Sequence, residues 1–150
     1  MDVILSYSHL CLHNSTFLDF IPHFYKRAQV GQLVVASPLS MGLLTYQPPS
    51  WHPAPPRLRR AVADASKMWD GDFPNLALGY SMKQTNRVER PLPLVTGFST
   101  LREVHEAVRV WREVTCAREL ETEKRKRGEE YAQDVIKNSG YLDWSWASPP

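Results

Sequence analysis

A chain of 150 residues suffices for one domain with a real core and falls short of a large enzyme fold. With 43% hydrophobic and 23% charged residues and a formal charge of +2, it reads as an ordinary globular chain, neither disordered nor fibrous, and its charge selects no nucleic acid or membrane partner. Cys11 and Cys116 stand in no CxxC or ligand-like spacing, which argues against a disulfide framework or a zinc site and for a reducing, cytoplasmic setting. No apolar run approaches the roughly 20 residues of a membrane helix, and the start MDVILSYSH lacks the basic flank and long apolar core of a signal peptide. Apolar β-formers begin at Val3, as though the chain opened in the middle of a fold.

In chain order, residues 3–5 read as a first strand running into the polar segment SYSHLCLHNS. Phe17, Leu18, Ile21, Phe24, Tyr25 and Ala28 recur at helical spacing behind the cap types Asn14 and Ser15; Pro22 predicts a kink and Gly31 the end. QLVVA, residues 32–36, is the second strand, followed by a Pro-rich loop to Pro56. Leu58, Ala61, Val62, Ala65, Met68 and Trp69 mark one helix face closed by DGD, and a shorter helix is expected over residues 76–82. LPLVT, residues 92–96, is the third strand, and Leu101, Val104, Val108 and Trp111 give the next helix its apolar stripe. A charged helical segment, 116–140, and a tail, 141–150, complete the chain. Strands separated by helices mean crossover connections, hence parallel strands with helices outside, as in open α/β sheets or a (β/α)8 barrel.

In such folds ligands sit at the carboxyl ends of the strands. Three ends present themselves: SYSH (6–9), SPLSMG (37–42) and TGFSTLREVHEA (96–107). In the third, Gly97 permits a tight turn, and Thr100 with Glu103 forms a capping box opening a helix. Backbone N–H groups from Phe98 to Leu101, the hydroxyls of Ser99 and Thr100, and Arg102 would converge there on a phosphate; an ordinary capped helix without a ligand has the same signature.

The blocks ASPLSMGLLT, PPSWHPAPPRLR and LVTGFSTLREVHEAV, in this order, resemble the second half of the aldo-keto reductases, nearest the branch of fungal D-arabinose and plant L-galactose dehydrogenases. The resemblance covers residues 2 to about 114 and the final YLDWSWASPP. It implies that the three strands are the last three of a (β/α)8 barrel, an incomplete one here, that binds NAD or NADP without a Rossmann fingerprint. Ser37, Pro38 and Leu39 match the family's loop against the cofactor pyrophosphate, where Ser37 would donate and Gly42 would allow close backbone approach. Gly97, Ser99, Thr100, Glu103 and Glu106 match the motif at the adenosine half, with Arg102 placed for a phosphate. Tyr7 and His9 match positions that shape the substrate pocket, and Trp51 is expected beside them, in a rigid loop at the barrel mouth. Departures from the family pattern are Ala36, where many members have an aromatic residue, Leu5 in place of Gln and Ala107 in place of Asn. The frequent Lys is absent from TGFST, which favours NAD over NADP.

The family's catalytic Asp, Tyr, Lys and His belong to earlier strands, and no residue here matches them. The resemblance therefore implies a sugar 1-dehydrogenase, oxidising an aldose such as D-arabinose or L-galactose to its lactone, with this chain carrying no catalytic residue. The alternative is a non-catalytic half-barrel that binds another chain, since a cut barrel exposes strand edges prone to self-association. His9 and His13 lack a third partner for a metal. PPSWHPAPP could serve as a polyproline ligand, but reads better as a rigid loop; the basic run KRKR, 124–127, has acidic flanks that make it a solvated helix face. Trp144 and Trp146 either fold over a substrate pocket or dock on the barrel.

Overall fold

The computed structural model describes residues 2–116 and 119–146; the remainder of the expected segment 116–140 and of the tail 141–150, residues 117–118 and 147–150, lies outside them. Three strands, β1 (Val3–Tyr7), β2 (Gln32–Ala36) and β3 (Leu94–Val95), pair in parallel in the order β1-β2-β3. Val3 lies opposite Gln32 and Tyr7 opposite Ala36, while Val35 and Ala36 meet Leu94 and Val95. Parallel pairing forces each connection to cross over: α1 (Phe17–Pro22) lies between β1 and β2, α2 (Pro56–Met68) and α3 (Phe73–Arg87) between β2 and β3, and α4 (Leu101–Cys116) and α5 (Glu119–Asn138) follow β3. The architecture is α/β: three parallel strands in an open sheet with surrounding helices, consistent with part of a (β/α) barrel.

Several elements differ from the sequence expectation for local reasons. The first helix stops being α at Pro22 and continues as a π-helical turn, His23–Arg27, because proline offers no N–H to the ladder. It ends at Gln29, which is left-handed (φ 51°), rather than at Gly31. The short helix expected at 76–82 is α3, of 15 residues: Asp72 caps it by accepting from the Asn75 N–H at 3.0 Å, and Pro74 sits in its first turn. The third strand shrinks to two residues.

One face of the sheet is covered and the other is not. Ile4, Leu33, Val35 and Leu94 pack with Leu10, Phe17 and Ile21 beneath the first helix. On the opposite face Val3, Leu5, Tyr7 and Val95 are each about half exposed. A second, larger core lies beyond the carboxyl ends of the strands, where Cys11, Leu12, Leu43 and Leu44 of the loops meet Leu58, Phe73, Leu76 and Ile136 of three helices. Helix α4 buries a face of small and medium residues, Ala107 and Val110 against Leu78, and leaves the stripe of Leu101, Val104, Val108 and Trp111 in solvent, the reverse of the packing expected for it.

The charged segment is not uniformly solvated either. Arg125 donates to the carbonyls of Asn75 and Leu76 (3.1 and 3.4 Å) and to Glu113, and Glu129 is buried against Lys83 at 2.5 Å. Burial raises the Glu129 carboxyl above its ordinary range, against the pull of Lys83. Gly128 lets α5 close on the Trp69 ring, since a Cβ there would collide with the indole. Gly128→Ala gains about 1 kcal/mol of helix propensity but forces a rigid indole aside; the expected outcome is a net loss of about 1–2 kcal/mol in urea unfolding. A stabilised variant would show that this approach is loose.

Candidate functional site

The parallel pairing carries on past the strand ends: Ser8 N–H reaches the Ala36 carbonyl at 3.0 Å and Ser37 N–H the Val95 carbonyl at 3.3 Å. All three expected loops therefore meet at one rim. Loop 37–42 folds in a rare way, with Ser37 (φ 61°), Ser40 (51°), Met41 (54°) and Gly42 (89°) all left-handed. The Ser37 hydroxyl oxygen accepts the Met41 N–H at 2.8 Å and keeps its own hydrogen for another partner. Ser40, Gly42, Leu43 and Leu44 N–H groups are spent inside the loop. The Ser40 hydroxyl is buried beside the Cys11 thiol.

At the start of α4 the predicted capping box is present, because Glu103 N–H donates to Thr100 Oγ1 at 3.2 Å while the Glu103 carboxylate accepts from Ser99 N–H (2.6 Å) and Thr100 N–H (3.3 Å). That carboxylate occupies two of the four N–H groups expected for a phosphate, those of Ser99 and Thr100. A groove of about 780 Å³ joins this helix start to loop 37–42 and α3. It gathers Leu39, Gly97, Ser99, Thr100, Arg102, Glu103 and Glu106; Ser37, Pro38 and Gly42 stand outside its lining. Arg109 bonds Glu106 at 2.6 Å and also pairs with Glu113, and this contact lowers the Glu106 carboxyl below its ordinary range.

A second cavity, about 640 Å³, opens beside β1 and is lined by Tyr7, His9, His13, Met41, Trp144 and Trp146 among others. Asn14 and Ser15 build it. The Asn14 side chain accepts from Thr16 to start α1 and donates to the Asp143 and Trp144 carbonyls, while Ser15 N–H meets the Asp143 carboxylate at 2.8 Å. His9 Nε2 lies 3.1 Å from Ser145 Oγ. The described tail thus both docks on the first loop and walls the cavity. Trp51 is 68% exposed and lies outside the lining, its ring stacked on His52.

Residues that carry no expected role in either cavity hold the two regions together. His13 is buried with Nδ1 3.3 Å from Cys11 Sγ and its ring parallel to Trp146. Burial lowers its pKa to about 4 and pushes the Cys11 thiol up to about 11, so at neutral pH neither is a cation or a thiolate nucleophile. His52 bridges the Pro-rich loop to Ser40. Only the Trp-His pair inside a proline run could have flagged it. Among the described residues no group of His, Cys, Asp and Glu could hold a metal ion, and no helix is long and apolar enough to cross a membrane.

No family model matches the chain. It is 42% identical over 114 residues to L-galactose dehydrogenase of Arabidopsis thaliana, a match that takes in 72% of this chain and 33% of that protein. The chain therefore spans about a third of the length of the relative it matches.

The buried His13 makes stability depend on pH. Its folded pKa lies below the unfolded value, so the unfolded chain binds more protons between about pH 6.5 and 4, and stability falls as pH drops through that window. The full loss is on the order of 3 kcal/mol. His13→Gln removes this contribution, and the expected outcome is a Tm that declines less steeply than the parent's from pH 6.5 to 4 in parallel melts. Identical slopes would mean that His13 is not buried neutral.

Proposed function

We propose that this chain is part of an aldo-keto reductase, the cofactor side of an NAD(P)-dependent oxidoreductase that oxidises an aldose at its anomeric carbon to the lactone. The observation that carries the reading is the open groove at the carboxyl rim of a parallel sheet, running between a left-handed loop and a capped helix. The 42% identity to L-galactose dehydrogenase supports the sugar, with L-galactose or D-arabinose as the aldose and NAD preferred for want of a lysine in residues 96–100. The chain is read as one partial domain of a cytoplasmic protein.

The residues present fit the dinucleotide at its phosphates. Ser37, outside the groove's lining, has a hydroxyl hydrogen to give, Arg102 adds a cation to the groove wall, and Gly97, where a Cβ would meet nothing within 4 Å, leaves the turn open. Glu103 holds the helix start that carries Arg102, and Glu106 is held charged by Arg109. When bound, the dinucleotide supplies the hydride acceptor. Tyr7 and His9, beside Trp144 and Trp146, form a wall suited to a sugar, with an apolar face and polar tips. The acid and base of the reaction are assigned to the Asp, Tyr, Lys and His that precede this region in the family.

A second reading, a non-catalytic half-barrel that works by binding, draws on the uncovered sheet face and the bare stripe of α4. Its signature is self-association of the chain by sedimentation at micromolar concentration together with no affinity for NADH.

The test is an NADH titration by calorimetry. Arg102→Glu is expected to weaken binding roughly 10- to 100-fold, as for loss of a charged hydrogen bond plus repulsion, and Ser37→Ala about fivefold. Unchanged affinity in both variants sinks the dinucleotide reading.

A further inference from the structure

We propose that His52 is a positioning residue that fixes the backbone of loop 37–42 in its left-handed form; its bearing on cofactor binding rests on the dinucleotide reading of that loop. The ring is 4% exposed and both of its nitrogens are used. Nδ1 accepts the Ala54 N–H at 3.0 Å, so the ring hydrogen sits on Nε2, which donates to the Ser40 carbonyl at 2.9 Å. That carbonyl belongs to a residue at φ 51°, followed by Met41 at 54°. Neither is a glycine, and backbone of this kind persists only where its surroundings hold it.

The ring is itself clamped. Trp51 stacks on it at 6.1 Å and the edge of Trp146 meets it at 4.9 Å, while Arg59 donates to the carbonyls of Pro49 and His52 at 2.8 and 2.7 Å and fixes the Pro-rich loop from which it projects. The conformation of the loop is thus set from outside, by an element that does not line the groove. This accounts for a tryptophan and a histidine inside a run of prolines better than a pocket-lining role for Trp51 does.

The two bonds can be separated by substitution. His52→Asn places a carboxamide oxygen where Nδ1 was, keeping the Ala54 bond and losing Ser40; His52→Gln places a donor near the Nε2 position and keeps the Ser40 bond. Two readouts are taken on the full 150-residue chain: amide hydrogen exchange over residues 40–44, and NADH affinity by titration. The expected result is exchange faster by about tenfold in the Asn variant alone, with NADH binding weakened about five- to tenfold there and within about twofold of the parent in the Gln variant, the size of one hydrogen bond. Equal behaviour of the two variants, including equal unfolding, assigns His52 to the Pro-rich turn alone and overturns the proposal. If exchange separates the variants while the parent chain takes up no NADH, His52 stands as the brace of the loop and it is the dinucleotide reading that falls.

Discussion

Everything at the candidate site depends on the parallel pairing of three short strands. Parallel neighbours cannot be joined by tight turns, so each strand returns through a helix and all carboxyl ends arrive at one rim. The ladder holds beyond the strands proper, through Ser8 to Ala36 and Ser37 to Val95, and so brings loops from three distant parts of the chain to one rim. The two-residue β3 suffices because only its direction and its last bonds matter for where residues 96–100 go.

Below the rim the same pairing divides the molecule energetically. Side chains of even number on β1 pack under the helix that follows, and those of odd number do not. Parts of the loops are as well buried as the sheet and helices: Cys11, Leu12, Leu43 and Leu44 are fully inside, like Leu33 and Val35 of β2. That burial on either side of residues 37–42, together with the internal hydrogen bonds of the loop, helps keep Ser40 and Met41 in left-handed backbone.

The class of fold, the order of elements, the capping box and the three loops at the rim were legible in the sequence because they rest on local signals: apolar period, cap residues and turn residues. The extent of α3 was not, since its Asp72 cap lies inside what reads as a DGD terminator and its interior carries Gly79. Nor was the facing of α4. Its large residues, Leu101, Val104, Val108 and Trp111, form the more apolar stripe, yet the described packing takes Ala107 and Val110, because the close approach to Leu78 favours small side chains. The histidine brace was illegible for another reason. Its partners, Ser40 and Trp146, are brought to it from 12 residues before and from the end of the described chain.

The α4 stripe and the open sheet face belong to one problem. Burying a Val, Leu or Tyr-sized apolar side chain is worth roughly 1.5–3 kcal/mol, and a domain's whole margin is about 5–15 kcal/mol. Val3, Leu5, Tyr7, Val95, Leu101, Val108 and Trp111 each leave about two-fifths or more of their surface in water, so the forfeited burial is comparable to that margin. Both bare surfaces carry apolar residues at the spacing of their own element, period two on β1 and three-then-four on α4, which is the pattern of a face meant to be covered. Covering either surface, whether by more of the same fold or by another chain, would recover part of that burial.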